Sequence, residues 1–127
     1  MIPQLRQVFA DTAYWIALLN PRDQLHHSAV VASQSLGRTH LITSDVVLTE
    51  FLNSFAGWGP YWRRMAARLV DQLYQNTQTV IEPQTRDLFT AAFRRYKDRE
   101  DKGYGLTDCT SMVIMERRSI HEVLSSD

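Results

Sequence analysis

Three scarcities bound what this chain can be. It has one cysteine, Cys109, so no internal disulfide can form, and the lack of a Cys/His cluster excludes a structural zinc site. A lone thiol suits a reducing compartment. It has no net charge: 14 Lys and Arg balance 14 Asp and Glu. That excludes a globally basic surface for nucleic acid while leaving room for a local basic patch. Its apolar runs are a few residues long, far short of the roughly 20 that cross a bilayer. The start, Met1-Ile2-Pro3-Gln4-Leu5-Arg6, lacks the apolar stretch of a signal peptide. No repeat, low-complexity tract or Gly/Ser linker divides the chain. What is present is 127 residues, 44% hydrophobic and 22% charged, enough for one domain with a real core and too little for two. The expectation is a single cytoplasmic domain over residues 1–127 with no membrane partner.

Short apolar β-like runs alternate with longer helical patterns. Val8-Phe9-Ala10 reads as a strand, followed at once by Asp11-Thr12, either of which can cap a helix over Ala13 to Leu19 that stops at Asn20-Pro21. A second helix is expected from Asp23 to Leu36, ending at Gly37. Leu41-Ile42-Thr43 reads as a strand. From Asp45, the apolar spacing Val47/Leu48, Phe51/Leu52, Phe55 has helical period and is closed by Gly57. Gly59-Pro60 opens a helix to about Asn76, with proline at its favoured first position. Thr79-Val80-Ile81 is a short strand. Thr85 to Arg99 is helical, with Leu88, Ala91/Ala92 and Tyr96 on one side. Residues 101–105 form a loop. Leu106 to Arg118 is a helix so apolar at Met112-Val113-Ile114-Met115 that it should be buried. Val123-Leu124 is a last strand candidate. Such alternation predicts an α/β fold, a parallel sheet sandwiched between helices, with all strand carboxyl ends on the edge where ligands collect.

Four carboxylates stand out against that frame. Asp11 follows the first strand and Asp127 follows the last; Asp108 opens the buried helix, and Glu50 lies on the helix after the second strand. Each has a plain structural explanation. Asp11 can cap its helix, Asp108 suits the positive end of a helix dipole, and Glu50 lies opposite its helix's apolar stripe, where a glutamate is ordinarily solvated.

Taken together with their neighbours, these residues carry a resemblance. Val8-Phe9-Ala10-Asp11-Thr12-Ala13-Tyr14-Trp15, Leu48-Thr49-Glu50-Phe51-Leu52-Asn53 and Leu106-Thr107-Asp108-Cys109-Thr110-Ser111 resemble the three core motifs of PIN domains, closest to the VapC type, the toxins of prokaryotic toxin–antitoxin pairs. The resemblance spans nearly the whole chain in order and spacing. It implies a PIN-like α/β/α sandwich and a metal-dependent endoribonuclease held in check by a small VapB-like antitoxin. The family's acidic quartet falls on Asp11, Glu50, Asp108 and Asp127, and its polar residue after the first acid on Thr12. Converging carboxylates without interleaved lysines repel one another, so a cation must compensate or some of them must protonate. Hard oxygen donors suit Mg²⁺ or Mn²⁺, which can hold a phosphodiester oxygen and supply an activated hydroxide. Asp11 and Asp108 are expected as principal ligands, with Glu50 and Asp127 ligating, acting through water or orienting the nucleophile. Chains of this type continue past the fourth acid with a further strand. Here nothing follows Asp127, so the expectation is an absent final edge strand, a weakly held fourth ligand and an open edge that invites self-association.

Other residues suggest partners. Trp58, Tyr61 and Trp62 interleave with Arg63, Arg64 and Arg68, which could stack bases and hold phosphates or could pack a partner. With Phe51 and Phe55 they make more aromatic surface than a small core hides, so an antitoxin segment or the twin subunit of a homodimer is expected there. Arg95 and Lys102 belong to a run of five cations and three anions leading into Asp108 and could receive the RNA substrate's phosphates. His26 and His27 are expected on the surface, and Cys109 as a buried small hydrophobe. A catalytically weak RNA- or partner-binding module is the alternative function. A receiver-like signalling domain fits worse, because the first strand ends in one acid rather than an adjacent pair.

Overall fold

A computed structural model of the chain describes residues 5–125; Asp127 and the first four residues lie outside them. The elements run β1 (Arg6–Ala10), α1 (Thr12–Leu19), α2 (His26–Gln34), β2 (Thr39–Ser44), α3 (Asp45–Ser54), α4 (Pro60–Gln75), β3 (Thr79–Glu82), α5 (Arg86–Asp98), α6 (Leu106–Arg118) and β4 (Val123–Leu124). The sheet order is β3-β2-β1-β4, and every pairing is parallel. This is the α/β/α arrangement that the alternation implied. Parallel strands in the middle of such a sheet are covered on both faces. Val8, Phe9 and Ala10 of β1 and Ile42, Thr43 and Ser44 of β2 are accordingly all buried, whereas β3 and β4 are half-buried or exposed. Among the described residues, no helix is long and apolar enough to cross a membrane.

The core joins β1 and β2 to α1, α3 and α6 through Phe9, Ile42, Trp15, Phe51, Phe55 and Ile114. Fully burying a side chain such as Phe51 contributes about 1.5–3 kcal/mol. A polar cross-link sits inside this apolar packing. Thr43 Oγ1 donates to the Ala10 carbonyl at 3.0 Å and accepts from Trp15 Nε1–H at 3.4 Å. It ties β2, the last residue of β1 and the helix that follows.

Three details depart from the sequence expectations. The second helix begins at His26 rather than Asp23, because the preceding residues prefer turns: Asn20 Oδ1 accepts from Arg22 N–H at 3.1 Å and Asp23 Oδ1 from Leu25 N–H at 2.9 Å. Leu52, expected in the stripe of α3, is 37% exposed. Tyr96 does not share the inner side of α5 with Leu88 and Ala92. At 3.6 residues per turn the inner line passes from 88 through 92 to 95, and the residue after it faces out, so Tyr96 is exposed. His26 is structural, with Nδ1 2.8 Å from the Ala17 carbonyl, and Cys109 is fully buried. The long α4 starts where Gly59 takes a φ of 100°, a value that L side chains avoid, with Pro60 at the helix start.

Replacing Thr43 with Val keeps shape and burial but leaves the Ala10 carbonyl and the Trp15 indole N–H without their partner. The expected loss of stability is about 1–3 kcal/mol, read as a lower urea midpoint at unchanged m-value; Thr43→Ser, which keeps the hydroxyl, should lose less.

Candidate active site

Asp11 stands at the carboxyl end of β1, whose last three residues are buried. Its backbone is extended (φ −94°, ψ −179°) as the N-cap of α1, and its Oδ1 accepts from Tyr14 N–H at 3.4 Å. Its own N–H donates to the Leu124 carbonyl of β4 at 3.1 Å, and its carbonyl accepts from Trp15 N–H at 3.4 Å. Capping, the plain explanation of this residue, is thus real, and it also fixes where a half-buried carboxylate sits. Thr12, the next residue, is buried, and its Oγ1 has no hydrogen-bond partner among the described residues. A buried hydroxyl left unpaired costs about 1–3 kcal/mol, and such an atom calls for a water or an ion.

Asp108 is the third residue of α6. Its Oδ2 accepts from Gly105 N–H at 3.1 Å, half of a capping box; glycine has no side chain to supply the other half. The carboxylate is exposed to solvent. Behind it the motif turns inward: Cys109, Thr110 and Ser111 are buried, and the two hydroxyls bond back to the Leu106 and Thr107 carbonyls at 2.9 and 3.1 Å. Glu50 lies on α3, which packs against both α1 and α6, the helices that begin at Asp11 and just before Asp108. Its carboxylate is exposed and makes no hydrogen bond or ion pair among the described residues. Asp127 lies outside the described residues.

The donor set fits a hard cation in kind, being all oxygen with an orphaned hydroxyl beside Asp11. In number it is short. Among the described residues no three His, Cys, Asp or Glu side chains group closely enough to hold a metal.

One acid at this edge was not singled out in the sequence. Asp45 follows β2 directly, but its Oδ1 accepts from Tyr74 O–H at 3.0 Å and its Oδ2 from Gln84 N–H at 3.4 Å. It braces α4 and the turn after β3. The hydrogen bond to this carboxylate, aided by some desolvation, holds the Tyr74 phenol above its ordinary pKa.

The cations expected to touch substrate divide in two. Arg95 is paired with Glu116 at 2.6 Å, and Arg63 donates to the Ala56 carbonyl at 3.0 Å, so both heads are engaged within the fold. Arg64 and Lys102 are exposed without an ion pair among the described residues. On α3 and α4 the aromatics form a continuous cluster: Phe55 stacks on Trp62 at 5.7 Å and meets the edge of Trp58 at 4.9 Å. Phe51 and Phe55 are buried, while Trp58 and Tyr61 are 51% and 58% exposed.

Comparison with known proteins follows the same outline. A family model described as PIN domain matches residues 8–127. The 23S rRNA-specific endonuclease VapC20 of Mycobacterium tuberculosis, in strains CDC 1551 / Oshkosh and ATCC 25618 / H37Rv, is 28% identical over 123 residues. That match covers 94% of this chain and 88% of the relative. A crystal structure of M. tuberculosis VapC20, described as a sarcin-ricin loop cleaving toxin, matches with a TM-score of 0.83 at 26% identity, covering 94% of this chain and 89% of the other.

The described contacts separate the acids by their structural cost. Asp11→Ala removes an N-cap and should lower stability by about 1 kcal/mol, Asp11→Asn by less because the amide oxygen still caps. Glu50→Gln should leave the melting temperature unchanged. Thermal unfolding in EDTA checks all three.

Proposed function

The chain belongs to the PIN domain family, and from that premise we propose that it is a metal-dependent endoribonuclease of the VapC type, hydrolysing RNA phosphodiester bonds at Asp11, Glu50, Asp108 and Asp127. The observation that carries the reading is the placement of Asp11, pinned at the carboxyl end of β1, beside the buried Thr12 hydroxyl, which has no partner among the described residues. Likeness to VapC20 in sequence and fold supports the reaction class.

In this reading Asp11 and Asp108 would hold Mg²⁺ or Mn²⁺, with Glu50 and Asp127 completing the set. Such an ion, when bound, neutralises the phosphodiester and lowers the pKa of water. The chain's own groups then have distinct tasks. The Thr12 hydroxyl is buried too deeply to touch a phosphate directly, so any part it takes would be through a group or water entering beside Asp11. The solvent-facing Glu50 carboxylate can take the proton of the attacking water. Asp11 is held by its backbone rather than by long side-chain contacts, so its position survives substrate turnover. The partner in this reading is a VapB-like antitoxin in the cytoplasm, with the exposed Trp58 and Tyr61 face of α3 and α4 available to it or to the twin subunit of a homodimer.

One observation favours a second reading, a PIN-like module that binds RNA without cutting it: the described acids form no group of three. Cleavage decides between the two. A hairpin with the sarcin–ricin loop sequence is the first substrate to try, because that is the loop VapC20 is described as cleaving. On metal-stripped protein with Mg²⁺ restored, Asp11→Asn and Asp108→Asn should each cut at least about 100-fold more slowly, since losing a ligand exceeds the roughly 10–100-fold cost of losing a ligand's supporting partner. Unchanged cleavage by Asp108→Asn overturns the assignment. Binding without cleavage in either metal by the unmodified chain establishes the second reading.

A further inference from the structure

The exposed side of α5 and the loop after it enclose an open cavity of about 700 Å³, within the range of roughly 300–1,000 Å³ that ligand sites occupy. Its lining is chemically mixed. Tyr96 and Tyr104 are 49% and 39% exposed and make no ring contact with another aromatic among the described residues. Phe93 is their opposite: one ring contact stacks it on Phe89 at 6.0 Å, and Lys97 Nζ lies 4.8 Å from its centroid. That contact places the ammonium at the groove rather than free in solvent. Arg99 is a second lining cation, with no ion pair among the described residues, and Glu100 is the one lining anion. Gly105 closes the cavity, and its N–H is the group that donates to Asp108 Oδ2 at 3.1 Å. The turn that brings the loop there passes through Gly103 at φ 66°.

We infer that this groove is a single-stranded RNA subsite, in which an unstacked base lies against Tyr96 and Tyr104 while Lys97 and Arg99 hold its phosphates. Gly105, which lines the groove, donates its N–H to Asp108, so the groove lies beside that carboxylate, and in this respect the inference rests on the ribonuclease reading. The charges favour an anionic occupant over an apolar one, and the exposed rings favour RNA over an acidic peptide. Two cations against one anion suit a chain carrying one phosphate per base, and exposed rings beside cations are what bases without a duplex partner stack upon. Duplex RNA would offer no free base to the tyrosines.

The test uses the metal-free full-length chain, which cannot consume the probe, and a single-stranded oligoribonucleotide containing 2-aminopurine. Its fluorescence is quenched on stacking. Tyr96→Ala and Tyr104→Ala should each weaken binding by roughly 5- to 150-fold and abolish part of the quench, while Tyr96→Phe and Tyr104→Phe retain both. Lys97→Gln should weaken binding and flatten its salt dependence by about one phosphate's share. Both tyrosines are surface residues, and far-ultraviolet circular dichroism confirms that each variant is folded. Unchanged affinity and quench in both alanine variants overturn the groove. If Asp108→Asn still abolishes cleavage, the ribonuclease reading survives that result. Groove binding by a chain that cuts no RNA leaves the subsite standing and removes the nuclease; a chain that neither binds nor cuts removes both. Unchanged RNA binding with loss of self-association in light scattering assigns the face to a second copy.

Discussion

The carboxyl end of β1 is held from three directions, and the rest of the molecule is arranged around that clamp. From β2, Thr43 donates to the Ala10 carbonyl; from β4, Leu124 accepts the Asp11 N–H; from α1, Tyr14 N–H returns to the Asp11 side chain. One of these contacts is backbone to backbone, and the other two run through the short side chains of Thr43 and Asp11, which have few rotamers to lose. The same three bonds set the neighbours on both sides of the central strand and the start of the first crossover helix. A carboxylate placed on this junction inherits its rigidity. That is the condition for acting on a phosphodiester, where a displacement of about 1 Å can cost two orders of magnitude in rate.

Several acids of the chain are committed to partners within the fold. Glu82, Asp87, Glu116 and Glu122 each face an arginine, and the guanidinium of Arg6 holds the Glu122 carboxyl below its ordinary range. Asp45 is occupied by Tyr74 and Gln84. Glu50 and Asp108, by contrast, face solvent without a cation among the described residues. Asp23, Asp71, Asp98, Glu100 and Asp101 also lack an ion pair among the described residues, so an unpaired carboxylate does not by itself mark a site. Asp45 and Asp11 stand at equally suggestive strand ends and each accepts a backbone N–H. Position alone does not distinguish them; the tie of Asp45 to Tyr74 and the sequence motif around Asp11 do.

Much of this was legible in the sequence, and the limits are physical. Periodicity located all four described strands and six helices because two central strands are apolar on both faces and α3 and α6 carry dense apolar stripes. Boundaries failed where polar side chains compete with the helix, as Asn20 and Asp23 do ahead of α2. Tyr96 was misassigned because a spacing of eight residues drifts about 80° around a helix, enough to carry a ring from the core side to solvent. Asp11, Thr12, Glu50 and Asp108 could be picked out by their motifs. The orphaned Thr12 hydroxyl and the commitment of Asp45 could not, since both depend on which groups face each other across the sheet edge. The same holds for Arg95, whose charge pattern suggested substrate while Glu116, twenty-one residues on, takes its guanidinium.

A chain with no net charge has a particular problem in handling RNA. Each phosphate neutralised on a single strand contributes a salt slope of about 0.7, so each cation in contact adds only a shallow increment of electrostatic grip. Arg6, Arg95, Arg117 and Arg118 are already spent on internal acids. Lys97, Arg99 and Lys102, without ion pairs among the described residues, cluster at the end of α5 and the loop before Asp108. Placing these three beside exposed rings changes the balance of the interaction there. Charge brings the strand in, while stacking, which is nearly independent of salt and strongest for unpaired bases, decides what stays. In the proposed subsite, overall neutrality limits non-specific attraction to duplexes, so recognition of an exposed loop would fall to the rings.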